Sequence, residues 1–406
     1  GKFLKAIYIY ELTMNLGDVP VSEALKGLEN VTPKYDSQKD VFKAVLTYLE
    51  DANTEMATVV TKNYVLANDY YYGNNLAKWQ KAVNAFKLRV LIQLSNKEAD
   101  ADLNIKQKFA DVISNPTRYP LFVSAADQMQ FVYNAQFNKY STSPDNFGFD
   151  ATRYNMAATY LNTLVSLQDP RTFMVAEPAA AKVAAGAAPN SYAAFVGASS
   201  GEDLATMSKN AGVGQYSFIN RKRYYQTYTA ETSIVIGYSE MCFNIAEAMN
   251  RGWISSANAE TWYQNGIKAS LAFYGVKDGV NTVTFQKPGG GLFESVNYDV
   301  NFLYDTYYNQ ANVKYKGNTV DGRNQILLQK YLAFYMNSGQ EAYFNWRRTG
   351  VPAFLTGAGS GNSGRVALRY QYPTAERANN KTNVEAAISA QFGAIDDINA
   401  KMWIIK

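Results

Sequence analysis

The stretch GYSEMCFNIAEAMNRGWISSANAETWYQNGIKASLAFYGV, residues 237–276, decides the fold. Ile234, Tyr238, Met241, Ile245 and Met249 recur every three or four residues and predict one apolar helical face over 233–250. Gly252 predicts the end of that helix, because glycine readily adopts the left-handed conformation that closes a helix. Ser256 is placed to cap a second helix, whose inner face is marked by Trp262, Gly266, Ala269 and Phe273. Two such helices joined by a short link read as a helical hairpin.

The same period continues outward. Val41, Val45, Tyr48 and Leu49 form a face over 40–56, and Trp79, Val83, Phe86, Val90 and Leu94 form another over 77–97. Hairpins of this kind stack on one another in tetratricopeptide repeats, but no strict period of about 34 residues shows here. The expectation is a mainly α fold of tetratricopeptide-like hairpins with few short strands. Long non-helical stretches interrupt it. Residues 116–150 are rich in Pro, Asn, Ser and aromatics, and 176–231 pass from Ala-rich to Gly- and Tyr-rich. Residues 275–296 hold VNTVTFQKPGGGLF, a short β-like run before a glycine cluster. Long loops in a compact protein usually carry function or lack order.

Composition removes several function classes. The chain has 406 residues, a net charge of +4 and no dense Lys/Arg block, which argues against nucleic-acid binding. It has no histidine, so Ser-His-Asp and Cys-His nucleophile systems are excluded. One cysteine and no histidine leave no zinc site, and Cys242, among apolar residues, reads as a buried, inert thiol. No 12-residue calcium loop pattern is present, and no cofactor is expected. No run of about 18 apolar residues spans a membrane. The aromatic content is high, at 31 Tyr, 21 Phe and 5 Trp, and many Tyr lie in polar, Asn- and Gly-rich stretches where burial in a core explains little. Gly1-Lys2 opens directly into an amphipathic helix, as if an earlier segment with any targeting signal preceded it.

In QEAYFNWRRTGVP (340–352), Arg347 and Arg348 fall in the last turn of a short helix that Gly350 and Pro352 stop. The favoured reading is structural: they cap carbonyls and pair with carboxylates such as Glu240 or Glu247. A ligand-gripping role is the alternative.

Several stretches together resemble one family. GDVPVSEALKG (17–27), KYDSQKDVF (34–42), KWQKAVNAFKLRVLIQLS (78–95) and LQDPR (167–171) come first. GYSEMCFNIAEAMNRGWI (237–254), YQNGIKASLAFYGV (263–276), QKYLAFYMNSGQEAYFNWRRTGVP (329–352) and the terminal KMWIIK follow in order. They resemble the motifs of the SusD/RagB nutrient-binding lipoproteins of the Bacteroidota outer membrane, most closely the SusD-like branch. The resemblance implies one SusD-like domain over 1–406. Its helical scaffold would lie mainly in 1–115, 232–274 and 297–348, with loop-rich regions at 116–231, 275–296 and 353–380. It implies four tetratricopeptide-like hairpins and a loop-rich ligand face. It implies a non-catalytic, lipid-anchored protein on the cell-surface side of the outer membrane, partnered with a SusC-type TonB-dependent transporter. The ligand would be an oligosaccharide, or in some members a peptide. The expected leading segment with its lipid-bearing Cys is not in this chain, so the only membrane link implied lies outside it.

A sugar presents an apolar C–H face and a ring of hydroxyls, so its site needs exposed aromatics beside amides. The five Trp, Trp79, Trp253, Trp262, Trp346 and Trp403, fall in helices or family motifs and read as core. Better candidates lie in FVYNAQFNKYSTSPDNFGFD (131–150): Tyr133, Phe137, Asn138, Tyr140, Asn146, Phe147 and Phe149. A strand alternating into the core would also explain Tyr133 and Phe137; from Tyr140 onward no alternation survives. In NDYYYGNNLAKW (68–79), Tyr70, Tyr71 and Tyr72 cannot all face inward, although they could plug a gap between hairpins. In INRKRYYQTY (219–228), Arg223 and Tyr224 could meet an acidic sugar or the transporter, though plain solvent exposure is the simpler reading. An enzyme is the first rival. A glycosidase needs two carboxylates in a cleft, whereas Asp396-Asp397 and Glu50-Asp51 read as solvated. A protein-interaction scaffold is the second rival.

Overall fold

The computed structural model describes residues 1–150, 153–255, 259–393 and 395–406. Among them the chain forms seventeen α-helices and two sheets of two strands each. The expected hairpin is present as helices Tyr238–Asn250 and Ala259–Phe273, which pack on each other. Gly252 (φ +75°) follows the first helix and Gly275 (φ +81°) follows the second, both in the left-handed region. The predicted cap, Ser256, lies outside the described residues. Gly266 is required where the helices cross: a Cβ there would lie 2.6 Å from the Phe243 ring. Ser239 Oγ also donates to the Gly266 carbonyl at 2.7 Å across the same contact.

The N-terminal helices stack in sequence. Helix Lys2–Leu16 packs on Gln38–Thr61, which packs on Leu76–Gln93. Ser37 caps the second helix through the Asp40 N–H, and Asn75 caps the third through the Lys78 N–H. Their apolar faces, with Phe42, Val45, Val83, Phe86 and Val90, form one continuous core that reaches Met241 and Ile245 of the 237–276 hairpin. Cys242 of the same hairpin is buried as expected, and burial pushes its thiol up to about 12.

Buried charges tie the remaining helices to this stack. Helix Val320–Ala333 packs on Tyr238–Asn250, and a seven-residue loop leads into helix Glu341–Thr349. Arg348 donates to Glu247 at 2.5 and 2.8 Å, to Ser95 Oγ and to Asn345 Oδ1, while Arg347 donates to the carbonyls of Met14 and Leu368. The structural reading of both arginines therefore holds. Glu240, offered as an alternative partner, is instead held by Arg89 at 2.6 Å through both oxygens. Burial alone would raise the Glu247 carboxyl, but Arg348 and Arg251 outweigh it and hold the group down to about 2.

A second core fills the loop-rich half. Strands are few here, as expected, but one pair reaches into a stretch expected as helix. Strand β3 (Gly279–Gln286) pairs antiparallel with strand β4 (Ser295–Phe302) over eight consecutive residues, so 297–302 is strand rather than helix. Strands β1 (Met129–Phe131) and β2 (Ser233–Ile236) form the other pair. The region expected as loop over 116–231 carries short helices as well, including Ala158–Ser166 and Leu204–Gly212. Asp169 and Arg171, fully buried, join this half to the helices. Arg171 donates to Asp169, Ser270 Oγ and Gln329 Oε1, and Tyr307 donates to Asp169. That junction ties the turn after helix Ala158–Ser166 to helices Ala259–Phe273 and Val320–Ala333.

Candidate ligand-binding cleft

A cleft of about 730 Å³ opens between the 141–160 segment and the end of helix Val320–Ala333 with the loop after it. Phe149 and Tyr154 stand at its rim, 64% and 52% exposed. Tyr160 and Tyr335 form its floor, stacked at 4.5 Å between ring centroids and 16° between planes. Tyr331 and Met336 complete the opposite wall. Tyr331 in the wall and Tyr335 in the floor lie four residues apart, across the turn that follows the helix, and so meet the same cavity.

Polar groups are placed between these rings. Asn146, Asp150 and Asn155 line the cleft. Asn146 Oδ1 accepts from Ser143 Oγ, and Asp150 accepts from the Tyr225 hydroxyl at 3.3 Å. The Asn155 amide and the Tyr154 and Tyr331 hydroxyls bond to no other protein group among the described residues. Burial pushes the Tyr331 phenol up to about 12, so it remains a neutral hydroxyl that both donates and accepts. Arg153 lays its guanidinium over the Phe149 ring at 3.7 Å and steadies that rim residue. The surface thus combines flat apolar faces with unengaged amides and hydroxyls.

Of the residues expected from sequence, Asn146 and Phe149 come together in this cleft. Phe147, half-buried, turns away from it and packs edge-on against Tyr225. Tyr140 is a correction. It is buried against Tyr133 and Tyr224 and presents no face to solvent. Tyr224 is a second correction, since it is fully buried beneath Tyr140 and Tyr335. Arg223 is a third: it pairs with Glu231 at 2.6 Å and donates to the Phe273 and Tyr274 carbonyls at a helix C-terminus. Tyr133 is half-buried and shares a hydrogen bond with Ser233 Oγ. Phe137 (82% exposed) and Asn138 lie on a separate tight turn closed by Asn134 and Asn138. Tyr70 projects into solvent at 84% exposure, while Tyr71 and Tyr72 pack edge-on against Trp79. Neither that loop nor the Phe137 turn lines the cleft.

Three further expectations need correction. Trp346 belongs to neither large core; it stacks on Phe354 at 5.0 Å and on Tyr343 at 6.1 Å. Asp396 is buried and paired with Arg369 and Arg377, not solvated. Glu50 pairs with Lys87 and Arg118, and none of these carboxylates lines the cleft. Sequence reasoning passed over Tyr154 and Asn155, although an adjacent Tyr-Asn pair in a non-periodic stretch carries the same signal as the residues it did select.

Comparisons with known proteins fit this architecture. Residues 1–373 match the family model SusD-like, described as starch-binding associating with outer membrane. A SusD homologue from Bacteroides fragilis superposes with a TM-score of 0.87 at 30% identity, over 100% of this chain and 83% of its own. A second from the same species gives 0.81 at 30%, over 100% and 83%. A chitin-binding SusD homologue from Flavobacterium johnsoniae gives 0.75 at 20%, over 100% and 80%, and shares the fold. No protein of curated function matches the chain. Among the described residues no helix is long and apolar enough to cross a membrane. With a family match over residues 1–373 and a 30% identical homologue that superposes along the whole of it, the chain belongs to the SusD-like family.

Proposed function

We propose that this protein is a non-catalytic glycan-binding protein of the outer membrane. It captures an oligosaccharide in the cleft between Phe149, Tyr154, Tyr160 and Tyr331 and passes it to a TonB-dependent transporter. The observation that carries this reading is the pairing, in one cavity, of aromatic faces with unengaged amide and hydroxyl groups. Sugar C–H faces pack on the rings, and ring hydroxyls bond to Asn155, Asn146 and Tyr331. Asp150 is the one carboxylate among the described lining residues, whereas glycoside hydrolysis needs an acid and a second carboxylate. The family's starch-binding description and the chitin-binding character of one structural relative support a glycan as ligand. Lipid anchoring on the cell-surface side, and the SusC-type partner, belong to the same reading through the family resemblance.

Calorimetric titration against starch- and chitin-derived oligosaccharides, with short peptides alongside, tests it. The expected result is saturable binding of an oligosaccharide, weakened about tenfold in Tyr154→Ala, the size of one lost aromatic contact. Binding of peptides alone would replace the glycan with a peptide ligand. Turnover of any glycan by the purified protein would contradict the non-catalytic reading.

A further inference from the structure

A second cavity, of about 470 Å³, lies between helices Lys2–Leu16 and Leu76–Gln93, strand β2 and the turn 334–339. Phe334 and Met336 line both this cavity and the cleft, and the turn that carries them divides the two. Its walls are apolar, with Ile7, Phe86, Ile234 and Phe334, and the exposed Met336 and Gly339 stand at its mouth. One wall carries a charge without a match. Glu11 lies one helical turn beyond Ile7 on the same face, and so meets this cavity. Among the described residues, no donor and no cation reaches its carboxylate. The charged groups that act on it are Glu341 and Arg89. Glu341 repels it and is itself engaged by the Tyr10 hydroxyl and the Gln93 amide. Arg89 also lines the cavity, but its Nε and one terminal nitrogen are spent on Glu240 and the Val235 carbonyl. Burial and Glu341 together raise the Glu11 carboxyl to about 7. A carboxylate with a structural role at such a site would be paired; one held against its own desolvation without a counter-ion is what a cation site requires.

We propose that this cavity binds a small organic cation, a primary ammonium on an apolar stem, with its nitrogen on Glu11 and its stem along Ile7, Phe86 and Phe334. The ammonium supplies the positive charge that the fold withholds from Glu11, as a charge-assisted hydrogen bond. The apolar walls favour an alkyl-bearing amine over an inorganic cation, which would have to shed its water against surfaces that offer it nothing in return. The site is separate from the glycan reading of the cleft and does not depend on it.

The test is calorimetric titration at pH 8, where Glu11 is ionised, with n-butylammonium and with n-butanol, a neutral probe on the same stem. Both are titrated into wild type and Glu11→Gln, with thermal unfolding of each protein. The expected result is saturable binding of n-butylammonium to wild type, about tenfold weaker for n-butanol and about tenfold weaker in Glu11→Gln, the size of one charge-assisted hydrogen bond. Equal binding of n-butanol reduces the site to an apolar hollow, and equal binding of n-butylammonium to Glu11→Gln places the cation elsewhere; either overturns the proposal. Absence of saturable n-butylammonium binding to wild type overturns it as well. The comparison of the two probes in wild type decides the question even where the variant unfolds early.

Discussion

The helix turn around Asn345 and Arg348 and the cleft wall around Asn146, Phe149, Tyr154 and Asn155 use similar residue types in opposite ways. Arg348 is held by Glu247, Ser95 and Asn345, and Asn345 Oδ1 accepts from both Arg348 and Lys330. Among the described residues, the side-chain polar groups of Asn155 and Tyr154 have no protein partner. Residue type does not separate the two regions; engagement does, since Arg348 spends both terminal nitrogens on protein partners even though its buried Nε has none. A buried polar group must be matched, whereas one kept free at a cleft edge remains available to a ligand.

The largest effect that could break this comparison is Arg348→Ala. It strands the fully buried Glu247 with Arg251 alone and is expected to cost about 3–5 kcal/mol of stability, read as a shift in the denaturant midpoint. A cleft-rim change such as Tyr154→Ala is expected to stay within about 0.5 kcal/mol. Similar losses from the two would dissolve the distinction. Next in size is Gly266→Ala, where the new Cβ meets the Phe243 ring and overpacking costs about 1–3 kcal/mol. A neutral result would mean that the hairpin helices shift apart freely.

The smallest expected effect concerns Glu11. Burial and the nearby Glu341 charge raise its carboxyl to about 7, with Arg89 opposing. A carboxyl raised in the folded state favours folding while it is protonated. Its contribution is complete below the ordinary value of 4.5 and is lost as pH rises through 7. Glu11→Gln removes that loss, so the variant should gain roughly 1 kcal/mol over wild type between pH 4.5 and pH 8, after allowance for water at this half-buried site. A difference independent of pH would contradict the assignment.

The scaffold was legible because its signals are local. Tyr238, Met241, Ile245 and Met249 repeat at the helical period, and Gly252 and Gly266 sit where a turn and a close crossing need them; Ile234, expected on the same face, instead pairs in strand β2, so the helix starts at Tyr238 and not at 233. Strand β4 was legible too, since Val296, Tyr298, Val300 and Phe302 alternate with polar residues, but the run was read as the start of a helical region. The site was only partly legible. Asn146 and Phe149, which line the candidate cleft, were selectable because the 141–150 stretch has no period that could bury them. Tyr140, in the same stretch, is buried by Tyr224 from a distant segment, and no local pattern reports that contact. The cleft floor likewise joins Tyr160 to Tyr335 across the chain, and Tyr335 looks like any other residue of a helical face.

The central claim is that the open cleft, and not the buried arginine turn, holds ligand. Its most direct test is calorimetric titration of wild type and Phe149→Ala with the same oligosaccharide, with thermal unfolding of both. The account predicts an affinity about tenfold weaker in the variant at an unchanged melting temperature. Unchanged affinity, or affinity lost only together with stability, would contradict it.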